Sequence, residues 1–352
     1  MTKNTFCYLP FITLDRAKWK DIHNPSPCPE FLTNHNHRSL QEWIHSDELK
    51  KVRGQLLNNE RPTQCRRCWE VEDKGHISLR MESAIDKSDV IESFVRKHDT
   101  LKISEIKMRS GASCNLACRM CVPQASNQVD NVWKAIGREG DPQGEYDLEM
   151  EMYIRTNIED IKYITVLGGE PFNHKKIINL LRWIVDSGHS GKIKLNIYTN
   201  GMLMNDKMFD LLQKFKMANI TFSLEAHGEV NDYIRQKSNW NTIEKNMMTS
   251  VEKGLAVQVQ STLSVLNICR IHVLHDWCIS KGIPFKEPIP LITPIELAAG
   301  NLPQELSEHV DPRYKKYLLN TSHPDMLNFI RQMDDYWNTD IRKVMPEWNK
   351  VM

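Results

Sequence analysis

Three closely spaced cysteines carry the most chemical information in this sequence. Cys114, Cys118 and Cys121 follow the pattern CxxxCxxC. Their thiolates provide one ligand fewer than the four that complete an ordinary [4Fe-4S] cluster or a structural zinc site. A cluster held by three thiolates keeps one iron open to a molecule that reacts. The spacing alone also allows a zinc knuckle with a distant fourth ligand, or a redox-active cysteine trio.

A second segment narrows these alternatives. Gly168, Gly169, Glu170 and Pro171 follow the apolar run Ile161–Leu167, which predicts a strand ending at the glycines. Residues without side chains permit close backbone approach to a ligand. The cysteine loop and this GGEP segment together resemble the radical SAM superfamily. In that superfamily the open iron binds S-adenosylmethionine (SAM), and reductive cleavage of SAM gives a 5′-deoxyadenosyl radical.

The resemblance implies further SAM contacts at the ends of successive strands. Glu170 would accept a hydrogen bond from the SAM ammonium group. Thr199 and Asn200 close the next predicted strand, and Ser223 and Glu225 close the one after it. Related enzymes often have Ser-x-Asp-Gly at that last position, so the acidic side chain is longer in this chain.

One arginine completes the implied SAM pocket. Arg235 resembles an arginine that pairs with the SAM carboxylate, and a guanidinium group suits a carboxylate well. The alternative interpretation is a solvated position on a helix face.

Four other cysteines precede this region, namely Cys7, Cys28, Cys65 and Cys68. Four thiolates make a closed site, which suits zinc or a fully ligated iron–sulfur cluster. Spacing does not separate these two possibilities. Cys269 and Cys278 stand apart from any ligand pattern and are predicted to be buried thiols.

The context of the four cysteines resembles one group within the superfamily. The order of the motifs resembles that of twitch-type radical SAM proteins, which are relatives of the SPASM group. Along the chain these motifs are Cys7, Trp43 in an amphipathic segment, the CxxC of Cys65 and Cys68, and the segment Gly75–Arg80. The resemblance implies an auxiliary [4Fe-4S] cluster near the substrate, with structural zinc as the alternative. One difference is that Cys28 is followed by Pro29, where such proteins often have a second cysteine.

Composition excludes some classes of protein. The chain has 46 basic and 45 acidic residues, which argues against a nucleic-acid-coating protein. We find no apolar run of the roughly 20 residues needed to cross a bilayer. The first residues lack the apolar core of a signal peptide, and nine cysteines then indicate reduced, metal-ligating thiols. We therefore expect a cytoplasmic protein.

The pattern of elements predicts an α/β fold. Strand-like and helix-like stretches alternate, which indicates a parallel sheet with helices outside it. Strands are predicted at Leu101–Met108, Ile161–Leu167, Lys192–Tyr198, Ile220–Glu225, Leu255–Leu263 and Pro284–Leu291. Helices are predicted at Ser39–Leu57, Ile85–Lys97, Gln124–Ile136, Lys175–Ser187, Asp206–Phe215, Val230–Lys253, Arg270–Lys281, Glu305–Leu319 and Met326–Trp337.

Six strand–helix units match the open, partial (β/α)6 TIM-like barrel of radical SAM enzymes, whose site residues belong at the carboxyl ends of the strands. The predicted domains are an N-terminal cysteine module at 1–98, the partial barrel at 99–292, and a capping helical extension at 293–352.

These features predict a radical SAM enzyme, with a SAM-binding cluster, SAM and an auxiliary cluster as cofactors. The expected reaction is hydrogen abstraction leading to oxidation or crosslinking of a peptide or small polar metabolite. A flavodoxin- or ferredoxin-type protein would donate the electron. The alternatives are an RNA-modifying radical SAM enzyme, disfavoured by the absence of a basic tail, and a non-catalytic zinc- or cluster-binding interaction protein, in which an open three-cysteine site would have no purpose.

Overall fold

The protein is described by a computed structural model that covers residues 5–16, 25–33, 39–86, 102–140, 144–319 and 321–352. Most of the helix predicted over Ile85–Lys97, from residue 87 onward, lies outside the described residues. Within these ranges, no helix is both long and apolar enough to span a membrane.

Parallel strands form the centre of the fold, as the alternating pattern predicts. Six of them make one sheet in the order β1-β2-β4-β5-β6-β8, with β1 and β8 at its edges. The strands are β1 (Thr13–Asp15), β2 (Glu105–Arg109), β3 (Ala117–Cys118), β4 (Tyr163–Leu167), β5 (Lys194–Thr199), β6 (Met217–Ser223), β7 (Arg235–Gln236), β8 (Ala256–Gln260), β9 (Thr262–Leu263) and β10 (Ile289–Pro290). The predicted α/β class with an open sheet is confirmed.

Register brings the carboxyl ends of neighbouring strands together. Thr199 at the end of β5 pairs with Phe222, one residue before the end of β6. Ser223 pairs in turn with Gln260, the last residue of β8. The strands run parallel in both pairs, so polar residues that follow them lie along one edge of the sheet.

Helices separate the strands in most places where the sequence predicts them. They are α1 (Leu9–Ile12), α2 (Leu40–Ile44), α3 (Asp47–Leu57), α4 (Arg66–Asp73), α5 (Leu79–Asp86), α6 (Asn127–Ala135), α7 (Leu148–Thr156), α8 (Lys175–Asp186), α9 (Asp206–Leu212), α10 (Glu229–Ile234), α11 (Trp240–Glu252), α12 (Ile271–Ser280), α13 (Met326–Trp337) and α14 (Ile341–Val344).

Two of the predicted helices are interrupted. The helix predicted over Val230–Lys253 splits into α10 and α11, with β7 between them, because Lys237 has a φ of 73° and Asn239 caps α11. The helix predicted over Ser39–Leu57 splits in the same way, since the Ser46 hydroxyl accepts a hydrogen bond from the Leu49 N–H and begins α3.

The C-terminal part of the chain also differs from the predicted elements. Residues Glu305–Leu319 form two 3-10 segments, Gln304–His309 and Pro312–Tyr317, rather than one helix. Proline lacks an N–H and disfavours a helical residue before it, so Pro312 separates the two. The predicted strand Pro284–Leu291 contributes only β10, which pairs with β9 outside the main sheet. Instead, β1 contributes the sixth strand of that sheet.

Two compact units divide the chain. One comprises Met1–Arg109 with Asp147–Thr165, and the other comprises Ser110–Tyr146 with Val166–Met352. The first contains the four N-terminal cysteines, and the second contains the three-cysteine segment. In the second unit, a hydrophobic core includes Cys114 and Cys118 together with Phe329 and Trp348 from the C-terminal region.

Candidate active site

The three-cysteine segment is held in place by the start of the helix that follows it. The Ser126 hydroxyl caps α6 through the Val129 N–H and donates to the Leu116 carbonyl. The Asn127 side chain accepts a hydrogen bond from the Cys114 N–H at 3.1 Å. Local polar contacts therefore fix the loop before any metal binds.

A short antiparallel ladder links the same loop to Arg235. Cys118 in β3 pairs in register with Arg235 in β7. The next residue, Arg119, donates its backbone N–H to the Ile234 carbonyl at 2.8 Å. Because the pairing fixes both backbones, the arginine predicted to contact SAM lies beside the cysteines predicted to hold the cluster.

Burial and mutual repulsion make these thiols hard to ionise without a cation. Burial, followed by the nearby charge of Cys118, raises the pKa of Cys114 to about 12. Burial also raises the pKa of Cys118 and, together with the other two thiols, that of Cys121. A bound metal supplies the positive charge that deprotonates such ligands, so the donor set fits a cluster.

The two glycines after β4 pack against the beginning of the cysteine loop. Gly169 and Glu170 donate their backbone N–H groups to the carbonyls of Gly111 and Ser113. Gly168 has a φ of 119°, and a Cβ there would lie 2.9 Å from the Ser110 nitrogen. Only glycine fits this conformation and spacing.

Glu170 is fully buried and joins two strand ends. Its carboxylate accepts hydrogen bonds from the Phe172 N–H, the Thr199 hydroxyl and the Asn200 N–H, at 3.1, 2.8 and 2.7 Å. Burial raises the pKa of this carboxyl group, although the hydrogen bonds oppose that rise. Glu170 therefore positions the ends of β4 and β5, in addition to any contact with SAM.

Asn200 extends this network to the cysteine loop. Its amide group donates to the Asn115 side chain at 2.8 Å, and its side-chain oxygen accepts from the Met202 N–H. Asn115 directly follows Cys114, so the end of β5 is hydrogen-bonded to the cluster segment.

At the end of β6, a buried acid and a buried arginine form an ion pair. Arg235 Nη1 lies 2.6 Å from Glu225 Oε1, and Glu225 Oε2 accepts the Thr262 N–H at 2.7 Å. Burial lowers the pKa of Arg235, but the charges of Cys118 and Glu225 outweigh this and hold it above its usual value. Its Nε has no hydrogen-bond partner, and the predicted alternative of a solvated helix face is wrong. Ser223 is half-buried at the same strand end.

Sequence reasoning missed three asparagines that support these groups. Asn231 accepts the Glu225 N–H, and Asn267 donates to the Glu225 carbonyl. Asn115 bridges the cysteine loop to Asn200. An asparagine after a cysteine or near a strand end is too common in loops to be recognised as a support from sequence alone.

Comparison with known protein families gives a match over the part of the chain that contains this site. Residues 108–269 match the family model of the Radical SAM superfamily, and this range includes the three cysteines and the strand ends described above. Residues 108–269 are a radical SAM domain. No curated protein matches it.

Several solved radical SAM structures are similar to this chain. Streptococcus suis SuiB bound to S-adenosylmethionine is 17% identical, with a TM-score of 0.42 over 84% of this chain and 60% of that one. AnSMEcpe with bound AdoMet and Kp18Cys peptide is 16% identical, with a TM-score of 0.41 over 54% and 52%. The methyltransferase TsrM from Kitasatospora setae is 15% identical, with a TM-score of 0.34 over 49% and 34%. The match therefore spans between a third and three fifths of the length of these proteins.

The four N-terminal cysteines line one cavity. Cys7, Cys28, Cys65 and Cys68 face it together with Arg80. Burial, followed by the charges of Cys28 and Cys68, raises the pKa of Cys65 to about 12. Thiols from distant points in the sequence therefore meet in one place, as a closed four-ligand site requires.

Polar groups surround this cavity. Burial raises the pKa of Cys68, and the backbone N–H of Arg80 opposes that rise, while the Ser78 hydroxyl donates to the Glu72 carboxylate. The Arg80 guanidinium donates to both oxygens of Glu72 and to the Phe6 carbonyl. Donors aimed at a cysteine sulfur stabilise its thiolate and tune a bound cluster.

Across the part of the chain that the structure describes, no three His, Cys, Asp or Glu side chains are arranged to hold a metal ion. Ligands of a cubane cluster bind separate iron atoms and need not converge on one point. Cys269 and Cys278 are both buried, as their isolated positions predict.

Glu170→Gln should destabilise the protein and weaken its affinity for SAM. The amide retains the shape of the side chain but replaces an accepting oxygen by a donor. At least one buried N–H or hydroxyl then loses its acceptor, at a cost of about 1–3 kcal/mol. Urea unfolding and equilibrium SAM binding measure the two effects. Glu229→Gln, which changes an exposed side chain at the start of α10, is the control, and equal behaviour of the two variants would contradict the role of Glu170.

Proposed function

We propose that this protein is a radical SAM enzyme in which Cys114, Cys118 and Cys121 hold a [4Fe-4S] cluster whose open iron binds SAM. The pairing of Cys118 with Arg235, beside the glycines that follow β4, carries the proposal. The cysteine thiolates are soft ligands, Arg235 supplies a fixed positive charge, and the glycines supply backbone groups at the same edge of the sheet. When bound and reduced, such a cluster would supply one electron for the cleavage of SAM to methionine and a 5′-deoxyadenosyl radical, which would abstract hydrogen from a substrate C–H bond.

The residues of the chain would bind and orient SAM around this centre. Gly168 and Gly169 let the end of β4 pack against the cysteine loop, where their backbone would contact SAM, and Glu170, Thr199 and Asn200 fix that backbone. We assign the SAM carboxylate to Arg235, whose Nε is buried without a hydrogen-bond partner. A carboxylate ligand would satisfy that donor. Ser223 and Glu225 would complete the pocket from the end of β6.

The proposal includes an auxiliary [4Fe-4S] cluster in a twitch-type module, held by Cys7, Cys28, Cys65 and Cys68. Their shared cavity and the backbone N–H of Arg80 beside Cys68 support this assignment. A second redox centre could accept the electron of a substrate radical, which favours net oxidation or crosslinking of a peptide or small polar metabolite. A cytoplasmic flavodoxin or ferredoxin would supply the first electron. The module would span 1–98, the barrel 99–292 and the cap 293–352.

SAM cleavage tests the proposed function directly. Anaerobically reconstituted protein with dithionite and SAM should yield 5′-deoxyadenosine slowly, even without substrate, and mass spectrometry measures it. Iron- and sulfide-loaded protein that forms none would contradict the proposal.

A second prediction separates the auxiliary cluster from zinc. Reconstituted protein should contain about eight irons, which correspond to two cubane clusters. Cys65→Ala/Cys68→Ala should leave about four and should still form 5′-deoxyadenosine, because the other cluster is intact. Metal analysis and EPR of the reduced protein measure this. If the double variant kept the iron content of the wild type and lost bound zinc, the four N-terminal cysteines would hold zinc rather than an auxiliary cluster. The proposal for the SAM site would be unaffected by that result.

A further inference from the structure

A charged side chain inside the cluster segment is more deeply buried than the cysteines around it. Arg119 lies between Cys118 and Cys121, and only 1% of its surface is exposed. An arginine is almost never fully buried unless other groups pair with it. The position of Arg119 therefore needs partners, and the structure provides them from two other elements.

The first set of partners comes from α10. Arg119 Nε donates to the Tyr233 carbonyl at 2.9 Å, and the guanidinium carbon lies 4.0 Å from the centre of the Tyr233 ring. The backbone N–H of Arg119 also donates to the Ile234 carbonyl. Arg119 thus contacts the helix that leads directly into Arg235.

The second set comes from the C-terminal helices. Arg119 Nη2 lies 3.0 Å from Asp334 Oδ1 on α13 and 2.5 Å from the Thr339 hydroxyl. Asp334 also accepts hydrogen bonds from the Thr339 hydroxyl and from the Ile341 N–H at the start of α14. One carboxylate therefore holds the turn between α13 and α14 and pairs with the cysteine loop.

The energetics of this arrangement favour a positioning role over a stabilising one. A buried ion pair gains little net stability, because the cost of desolvating both charges offsets their attraction. Arg119 also leaves Nη1 without a hydrogen-bond partner. A planar guanidinium with several donors nevertheless fixes geometry in a way that an apolar side chain does not.

We propose that Arg119 is a positioning residue that sets the cluster loop against the C-terminal helices, so that residues Asp334 and Thr339 become part of the support of the SAM site. The inference rests on the proposed cluster at Cys114, Cys118 and Cys121. It adds that the C-terminal helices determine the position of this cluster relative to bound SAM, in addition to covering the core.

The test compares four full-length, reconstituted variants: Arg119→Met, Arg119→Lys, Asp334→Asn and Arg342→Met. The last is the control, because the Arg342 side chain on α14 is exposed and forms an ion pair with half-buried Asp340. Iron content, the change in the EPR spectrum on adding SAM, and the rate of uncoupled 5′-deoxyadenosine formation are measured. Circular dichroism shows which variants are folded.

We expect folded Arg119→Met and Asp334→Asn to lose the SAM-induced EPR change and to cleave SAM about ten- to a hundred-fold more slowly, as for supports of metal ligands. Arg119→Lys should recover part of both, and Arg342→Met should match the wild type. If Arg119→Met does not fold, Arg119→Lys and Asp334→Asn decide the question. Wild-type EPR changes and rates in the folded variants would overturn the inference. A wild-type protein that fails to cleave SAM would instead refute the proposed function.

Discussion

Replacing Cys114, Cys118 and Cys121 together by alanine should abolish the formation of 5′-deoxyadenosine. SAM needs an iron that lacks a protein ligand, and these three thiols are the proposed ligands of that cluster. The variant should keep about four of the expected eight irons, since the auxiliary site is untouched. Mass spectrometry of 5′-deoxyadenosine and iron analysis of the same anaerobic samples measure both results.

The matched control is Cys278→Ala. Cys278 is fully buried on α12, so its substitution also removes a buried sulfur, but it lies in no ligand pattern. It should keep its iron and its rate of SAM cleavage. If the triple variant retained either the full iron content or the wild-type rate, the cysteine loop would not be the SAM-binding centre.

The fold class was predictable because the apolar runs mark the strands of a sheet buried by helices. Strand β4 is the clearest example, since Ile164, Val166 and Leu167 are aliphatic and the glycines after the strand end the run. In contrast, β1 is only three residues long, which is too short to show an alternation of apolar and polar residues. Strand β1 forms because it pairs in parallel with β2, where Thr13 lies opposite Glu105. Glu105 is 92 residues away in the sequence, so no local pattern predicts this pairing.

The site was predictable where residue type determines the chemistry. Cysteine spacing and the GGEP segment identified the cluster loop and the strand end beside it. The burial of Glu170 was not predictable, because its donors Thr199 and Asn200 belong to another strand. Arg119 was missed for the same reason. Its partner Asp334 lies 215 positions later, and nothing local distinguishes it from a solvated arginine.

Arg235 illustrates how local pattern misleads. The segment from 230 to 253 has the apolar spacing of one helix, and within a helix Arg235 could face solvent. Instead α10 ends at Ile234, and Arg235 and Gln236 form β7, which pairs with β3. That pairing buries the guanidinium against Glu225, so a tertiary contact decides the role of the residue.

Arg235→Met should both destabilise the protein and prevent productive SAM binding. Removing the guanidinium leaves the Glu225 carboxylate buried, with the Thr262 N–H still bound to one oxygen. Breaking a buried ion pair by removing one partner typically costs about 3–5 kcal/mol. The thiols of the cluster loop also lose the nearby positive charge. Urea unfolding and equilibrium SAM binding measure the two consequences.

Two further variants separate these effects. Arg155→Met removes the partner of Glu151 on α7, a half-exposed pair along one helix, and should change the free energy of unfolding by no more than about 1 kcal/mol. Arg235→Met/Glu225→Gln removes both charges, so it should regain part of the lost stability without regaining affinity for SAM. Recovery of SAM binding in the double variant would show that the guanidinium only neutralises Glu225. Persistent loss of binding in a stable double variant is the result expected if Arg235 itself holds the SAM carboxylate.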